Sequence, residues 1–147
     1  MYTLREAARV IELDLSKATA AIQGYGNAGM YAHELITSMF GTKVIAVSDS
    51  KGGILNENGL DLTAVTEHKA KTGSVVGFPG AKPLTNGQLL ELEVDVLLPC
   101  ALENVITKQN AENIKAKIIA ELMKSKQKKE AKAATTKRIT RLTIRQQ

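Results

Sequence analysis

Residues 21–30 read AIQGYGNAGM, and Gly24, Gly26 and Gly29 stand there at the spacing G-x-G-x-x-G. Glycines so spaced let a backbone turn come close enough to a pyrophosphate for its N–H groups to hold the anion. Gly24 makes the tight turn, Gly26 lets the phosphates approach with no Cβ in the way, and Gly29 lets the following helix pack close to the strand. Asn27 sits in the same turn, where its amide adds a donor. The second candidate is Asp49, 20 positions after Gly29. A carboxylate there accepts hydrogen bonds from adenosine ribose hydroxyls and repels a 2′-phosphate, which favours NAD over NADP. Ser50 and Lys51 follow it, and the lysine's charge works in the opposite direction. A glycine turn without a ligand is the competing reading, and the loop alone does not decide between the two.

Other reactive side chains point to less. His33 and His68 are isolated, with no acid or cysteine at ligand spacing, so structural roles are expected and no metal site. Cys100 follows Pro99 at the end of an apolar run. With no base to activate its thiol it reads as a small wall residue of a cofactor cleft rather than a nucleophile. Glu103 and Glu121 have no identifiable partner.

The elements around the glycines decide the question in favour of a dinucleotide. Residues 18–23 are uncharged between Lys17 and Gly24 and read as a strand buried on both faces. Residues 28–40 read as a helix closed by Gly41, and residues 43–48, KVIAVS, as a second buried strand. Strand, glycine turn, helix and strand make a βαβ unit of about 30 residues with an acid at its end. Before it, residues 3–14 are helical, with Leu4, Ala8, Ile11 and Leu15 on one face and Arg5, Glu6, Arg9 and Glu12 on the other. After it, residues 49–61 are rich in turn formers, and Asp61 caps a helix over residues 62–71 that ends at Gly73. Residues 73–83 are irregular, with Pro79 and Pro83 excluding a helix. Thr85 and Gln88 have capping-box spacing for a short helix to Leu92. Residues 94–98 and 116–122 read as a third and a fourth strand, separated by a helical step over residues 107–113. The expected architecture is a doubly wound, Rossmann-like open parallel α/β sheet, with the third strand beside the first and the fourth outside it.

Composition sets the boundaries. The 147 residues suit one domain, and with no Trp and 3% aromatic residues the core rests on Val, Ile, Leu and Ala. One cysteine allows no intrachain disulfide, no apolar run reaches the ~18 residues of a membrane span, and MYTLREAARV lacks the apolar core of a signal peptide. A cytoplasmic protein with no membrane partner is expected. The net charge of +5 is uneven. Residues 123–147 hold nine Lys or Arg against one acid, a local +8, which leaves 11 basic and 14 acidic groups in the other 122 residues. Residues 1–122 are therefore read as the nucleotide-binding domain, and 123–147 as a basic, disordered tail. Without aromatic stacking residues, that tail contacts nucleic acid only non-specifically.

The segments YTLREAARVIELDL, ATAAIQGYGNAGMYAHELI, KVIAVSDSKGGILNENGLDL and LELEVDVLLPCALENVITKQNAENIKAKIIAEL together resemble the cofactor-binding domain of the prokaryotic and archaeal glutamate dehydrogenases. The resemblance covers about residues 2–122. It implies NAD or NADP as cofactor and oxidative deamination of L-glutamate as the family reaction. Gly24, Tyr25, Gly26, Asn27, Ala28 and Gly29 match the pyrophosphate loop, Asp49 and Ser50 the ribose-contacting strand end, and Pro99, Cys100 and Ala101 the stretch lining the cofactor cleft. No residue matches the family's catalytic lysines and aspartate, so no glutamate turnover is expected from these residues alone. A non-enzymatic NAD-binding module with a polycationic tail, or a degenerate gene product, is the alternative. Residues 123–147 resemble nothing in the family, as a frameshifted reading would. The missing next strand would leave residues 116–122 as an apolar edge open to self-association.

Overall fold

The fold was determined as a computed structural model that describes residues 2–100 and 111–120. Ala101, Glu103, Glu121, the first part of the helical step and the basic segment 123–147 lie outside the described residues.

Helix α1 (Tyr2–Val10) leads through a single 3₁₀ turn (Leu15–Lys17) to β1 (Thr19–Gln23), then α2 (Asn27–Phe40) and β2 (Lys43–Asp49). Next come β3 (Gly52–Leu55), α3 (Leu62–Thr72), β4 (Lys82–Leu84), α4 (Asn86–Leu90), β5 (Val96–Pro99), a 3₁₀ turn (Ala111–Asn113) and β6 (Ile118–Ile119). The described strands form one sheet in the order β4-β3-β2-β1-β5-β6. β2, β1, β5 and β6 are parallel, with β5 beside β1 and β6 outside it. β3 and β4 add an antiparallel edge, where the sequence reading had only turns and irregular chain.

Local chemistry explains the element ends. Gly41 and Gly73 close α2 and α3 in the left-handed conformation, at φ 69° and 86°, which glycine adopts without strain. The Asp61 carboxylate accepts from the Ala64 N–H at the start of α3. Thr85 and Gln88 form the complete capping box of α4. Pro83 sits on the outermost strand, where a missing N–H does no harm.

Two apolar layers sandwich the sheet. On one face Leu4, Ala8, Ile36 and Val65 from the three longer helices meet Ala20, Ile22, Val44, Val47 and Leu98. On the other, Leu89 and Leu90 of α4 meet Ala21, Ala46 and Leu97. β2 carries a bulge: Ala20 pairs with Val44 but Ala21 with Ala46, so Ile45 is an extra residue. Ile45 and Ala46 consequently face the same layer, and the alternation beyond them is reversed.

Candidate functional site

The parallel register brings the expected residues to one edge of the sheet. Gln23 pairs with Ser48 on one side and Pro99 on the other, so the glycine loop, Asp49 and Cys100 all leave the carboxyl ends of adjacent strands. Strand order reverses at β1, since β2 lies to one side of it and β5 to the other. Ligands of open α/β sheets bind at such a point.

The three glycines answer to different constraints. Gly24 has φ 91°, which side chains rarely tolerate. A Cβ on Gly29 would sit 3.0 Å from the Gly24 carbonyl carbon and closer still to its oxygen, so the start of α2 presses directly on the loop. Gly26 has φ −93°, outside the left-handed region, and a Cβ there would meet nothing within 4 Å among the described residues. The fold therefore requires glycine at 24 and 29 but leaves open space at 26. Gly26 is also the N-cap of α2 and makes no side-chain cap, in contrast to Asp61 and Thr85. The first intrahelical bond runs from the Met30 N–H to the Gly26 carbonyl, leaving three earlier N–H groups at the positive end of the helix dipole. Ala28 is half-buried and Asn27 exposed in that first turn.

The loop is fastened from behind. The Gly24 and Tyr25 N–H groups both donate to the Ser48 carbonyl, at 2.9 and 2.7 Å. The Tyr25 carbonyl accepts from Lys69 Nζ. The Tyr25 ring is fully buried and its hydroxyl meets His33 Nδ1 at 2.8 Å. Burial holds the His33 pKa below its ordinary value, against the Leu60 backbone bond and the Asp61 charge. Burial likewise pushes the Tyr25 phenol up to about 12. His33 thus has the structural role expected of it. His68 also does: Nε2 meets the Val76 carbonyl at 3.0 Å and its ring packs edge-on to Phe78.

Asp49 is more committed than the sequence suggested. Its carboxylate accepts from Ser74 Oγ at 2.9 Å, Val75 N at 2.8 Å and Lys51 N at 2.9 Å, and lies 3.9 Å from Lys69 Nζ. Partial burial acts to raise its pKa, but the Val75, Lys51 and Ser74 hydrogen bonds and the Lys69 charge outweigh it, and the pKa falls below 3.8. The group is ionised at neutral pH, and most of its lone-pair sites are taken by the protein. Ser50 is exposed in the turn that follows. None of these partners was foreseen, because Ser74 and Val75 stand 25 and 26 residues away.

On the β5 side, Pro99 is buried and Cys100 half-buried, its N–H donating to the Gln23 carbonyl at 2.7 Å. Burial pushes the Cys100 thiol up to about 12, so it stays protonated and unreactive. Gln23 itself is buried, and its Oε1 has no hydrogen-bond partner among the described residues. No helix among the described residues is long and apolar enough to cross a membrane.

The sequence pattern of the glutamate/leucine/phenylalanine/valine dehydrogenase family matches residues 1–142, running past Leu122 into the basic segment. The chain is 49% identical over 112 residues to glutamate dehydrogenase of Thermotoga maritima, covering 76% of this chain and 27% of that protein. It is 47% identical over 122 residues to NADP-specific glutamate dehydrogenase A1 of Halobacterium salinarum, covering 82% and 29%. Among solved structures, the hetero-hexameric glutamate dehydrogenase of Thermus thermophilus in its Leu-bound form superposes with a TM-score of 0.72 at 28% identity, covering 82% of this chain and 28% of that one. The chain thus spans less than a third of the relatives it matches.

Proposed function

Since the chain belongs to the glutamate/leucine/phenylalanine/valine dehydrogenase family, we propose that it is the dinucleotide-binding part of a glutamate dehydrogenase. The observation that carries this reading is Gly26. It is a glycine for which the fold gives no steric reason, placed at an uncapped helix N-terminus on the ligand-binding edge of the sheet. A pyrophosphate would occupy the space that a Cβ would fill and accept from the free N–H groups of the first turn of α2.

In this reading residues 24–29 hold the phosphates, Asp49 and Ser50 face the adenosine ribose, and Pro99 and Cys100 border the nicotinamide half. When bound, the dinucleotide supplies the hydride acceptor. The described residues bind and orient it and offer no group to act on a substrate: His33 is buried and paired, and the Cys100 thiol is protonated. Glutamate turnover then depends on groups outside the described residues.

The ionised Asp49 favours NAD. Its charge is, however, offset by Lys69 and shared among protein donors, and Lys51 follows directly, so NADP is admitted as well. Self-association along β6, the outermost described strand on that side, is a further part of the proposal. Calorimetric titration of the 147-residue chain with NAD and NADP tests the reading. Binding of either supports it, and the absence of both at millimolar ligand rejects it.

A further inference from the structure

We infer that Tyr25 is a positioning residue that fixes the shape of the glycine loop through a buried hydrogen bond from its hydroxyl to His33. Its consequence for a ligand rests on the reading that this loop takes phosphates.

Tyr25 stands between two residues with little conformational restraint of their own, Gly24 at φ 91° and Gly26 with empty space around it. Glycines keep many backbone states in reserve, so a loop built from them presents its N–H groups in one direction only if something else holds it. Tyr25 meets that need by bonding to three elements at once. Its N–H is fixed on β2 through the Ser48 carbonyl, and its carbonyl on α3 through Lys69. Its ring lies edge-on to that of His33, with centroids 5.9 Å apart. Its hydroxyl meets His33 Nδ1 in the second turn of α2.

A phenylalanine would fill the apolar space behind the loop equally well. The hydroxyl is therefore not explained by packing, and a buried phenol and a buried imidazole each carry a penalty unless paired. Pairing them gives the neutral imidazole a defined role: Nδ1 accepts from the phenol. Thr66 Oγ1 in α3 is buried and has no hydrogen-bond partner among the described residues. Turning the loop at residue 25 breaks the phenol–imidazole bond.

Hydrogen exchange on the ligand-free chain tests the anchor directly. The Gly24 and Tyr25 amides report on the loop, and the Leu89 amide in α4, on the opposite face of the sheet, is the control. Tyr25→Phe and His33→Leu are each expected to speed exchange at residues 24 and 25 about fivefold, the weight of one neutral hydrogen bond, and to leave Leu89 unchanged. Because both remove the same bond, the double variant should exchange little faster than either single one. Unchanged exchange at the loop, an equal rise at Leu89, or additive effects would each overturn the inference. In the binding arm, Tyr25→Phe should weaken ADP-ribose several-fold and leave adenosine, which has no phosphate, unaffected. Faster loop exchange with unaltered ADP-ribose affinity also overturns it. If the wild-type chain binds neither compound, the dinucleotide reading fails, and the exchange data alone decide whether Tyr25 holds the loop.

Discussion

Gly26→Ala separates binding from folding. The added Cβ meets no atom of the described residues within 4 Å, and φ −93° needs no glycine, so the substitution introduces neither clash nor strain there. Alanine loses a few tenths to about 1 kcal/mol as an N-cap residue, and reduced freedom of the unfolded chain returns about 0.4–1 kcal/mol. The net change in stability is near zero. For a pyrophosphate the same methyl occupies the approach to the helix N-terminus. Displacing the anion from two charge-assisted hydrogen bonds at about 1.5 kcal/mol each costs about 3 kcal/mol, or roughly 100-fold in Kd. Gly29→Ala is the contrasting case: its Cβ drives into the Gly24 carbonyl, and overpacking of that kind costs about 1–3 kcal/mol of stability. Thermal unfolding and calorimetric titration with NAD, run on both variants, read the two quantities apart. Expected are an unchanged Tm with lost binding for Gly26→Ala, and a Tm lowered by several degrees for Gly29→Ala. If Gly26→Ala lowers Tm as far as Gly29→Ala does, or binds NAD like the wild type, the open space at residue 26 is no phosphate seat.

Asp49→Ala leaves the Val75 and Lys51 N–H groups without their acceptor, and should destabilise the chain by about 1–3 kcal/mol even without cofactor; an unaltered Tm would show that the carboxylate has no structural role. Because the folded pKa of Asp49 is depressed, its contribution is complete above 3.8 and lost as pH falls below that value, so the deficit of Asp49→Asn should shrink in acid. His33 also has a depressed pKa; burial lowers it, against the Leu60 backbone and the Asp61 charge, and its ring faces Tyr25. Its contribution is complete above 6.5 and is lost as pH falls below 6.5, while the unfolded chain takes up a proton that the folded one refuses. Between about pH 7 and 5 the wild-type Tm should accordingly drop more steeply than that of His33→Leu, and parallel curves would contradict the buried neutral imidazole. The 147-residue chain should reduce no NAD in the presence of L-glutamate and ammonia-free buffer, a result that any turnover above background would refute.

What was legible in the sequence was local. The glycine spacing, the Asp61 cap and the Thr85–Gln88 capping box follow from contacts within a few residues, and each stands where it was expected. The strand order also followed, because a βαβ unit leaves few ways to place the next two strands. The antiparallel edge was missed for a physical reason. Gly53 looks like a turn residue, yet a Cβ there would lie 2.9 Å from the Leu84 side chain and 3.0 Å from Ser48 Cβ. The glycine that hid the strand is what lets it fit between its neighbours. The partners of Asp49 were illegible because they come from residues 74 and 75, in a loop with no pattern of its own. Equally, nothing in the spacing of Tyr25 and His33 announces that one side chain reaches the other.

The bulge at Ile45 is a parity device. Past it, Ser48 turns towards Asn86 on the α4 face, at 2.5 Å, while Asp49 turns towards Ser74, Val75 and Lys69 on the α3 face. A strand without the extra residue would exchange those two destinations, and the carboxylate would arrive on the wrong side of the sheet. Deleting Ile45 should therefore damage the Asp49 end of the candidate site from four residues away, by rotation rather than by loss of Asp49 itself. A designer transplanting this site would need to carry the bulge with the loop, since copying the glycines and the aspartate alone would preserve the letters and invert the geometry.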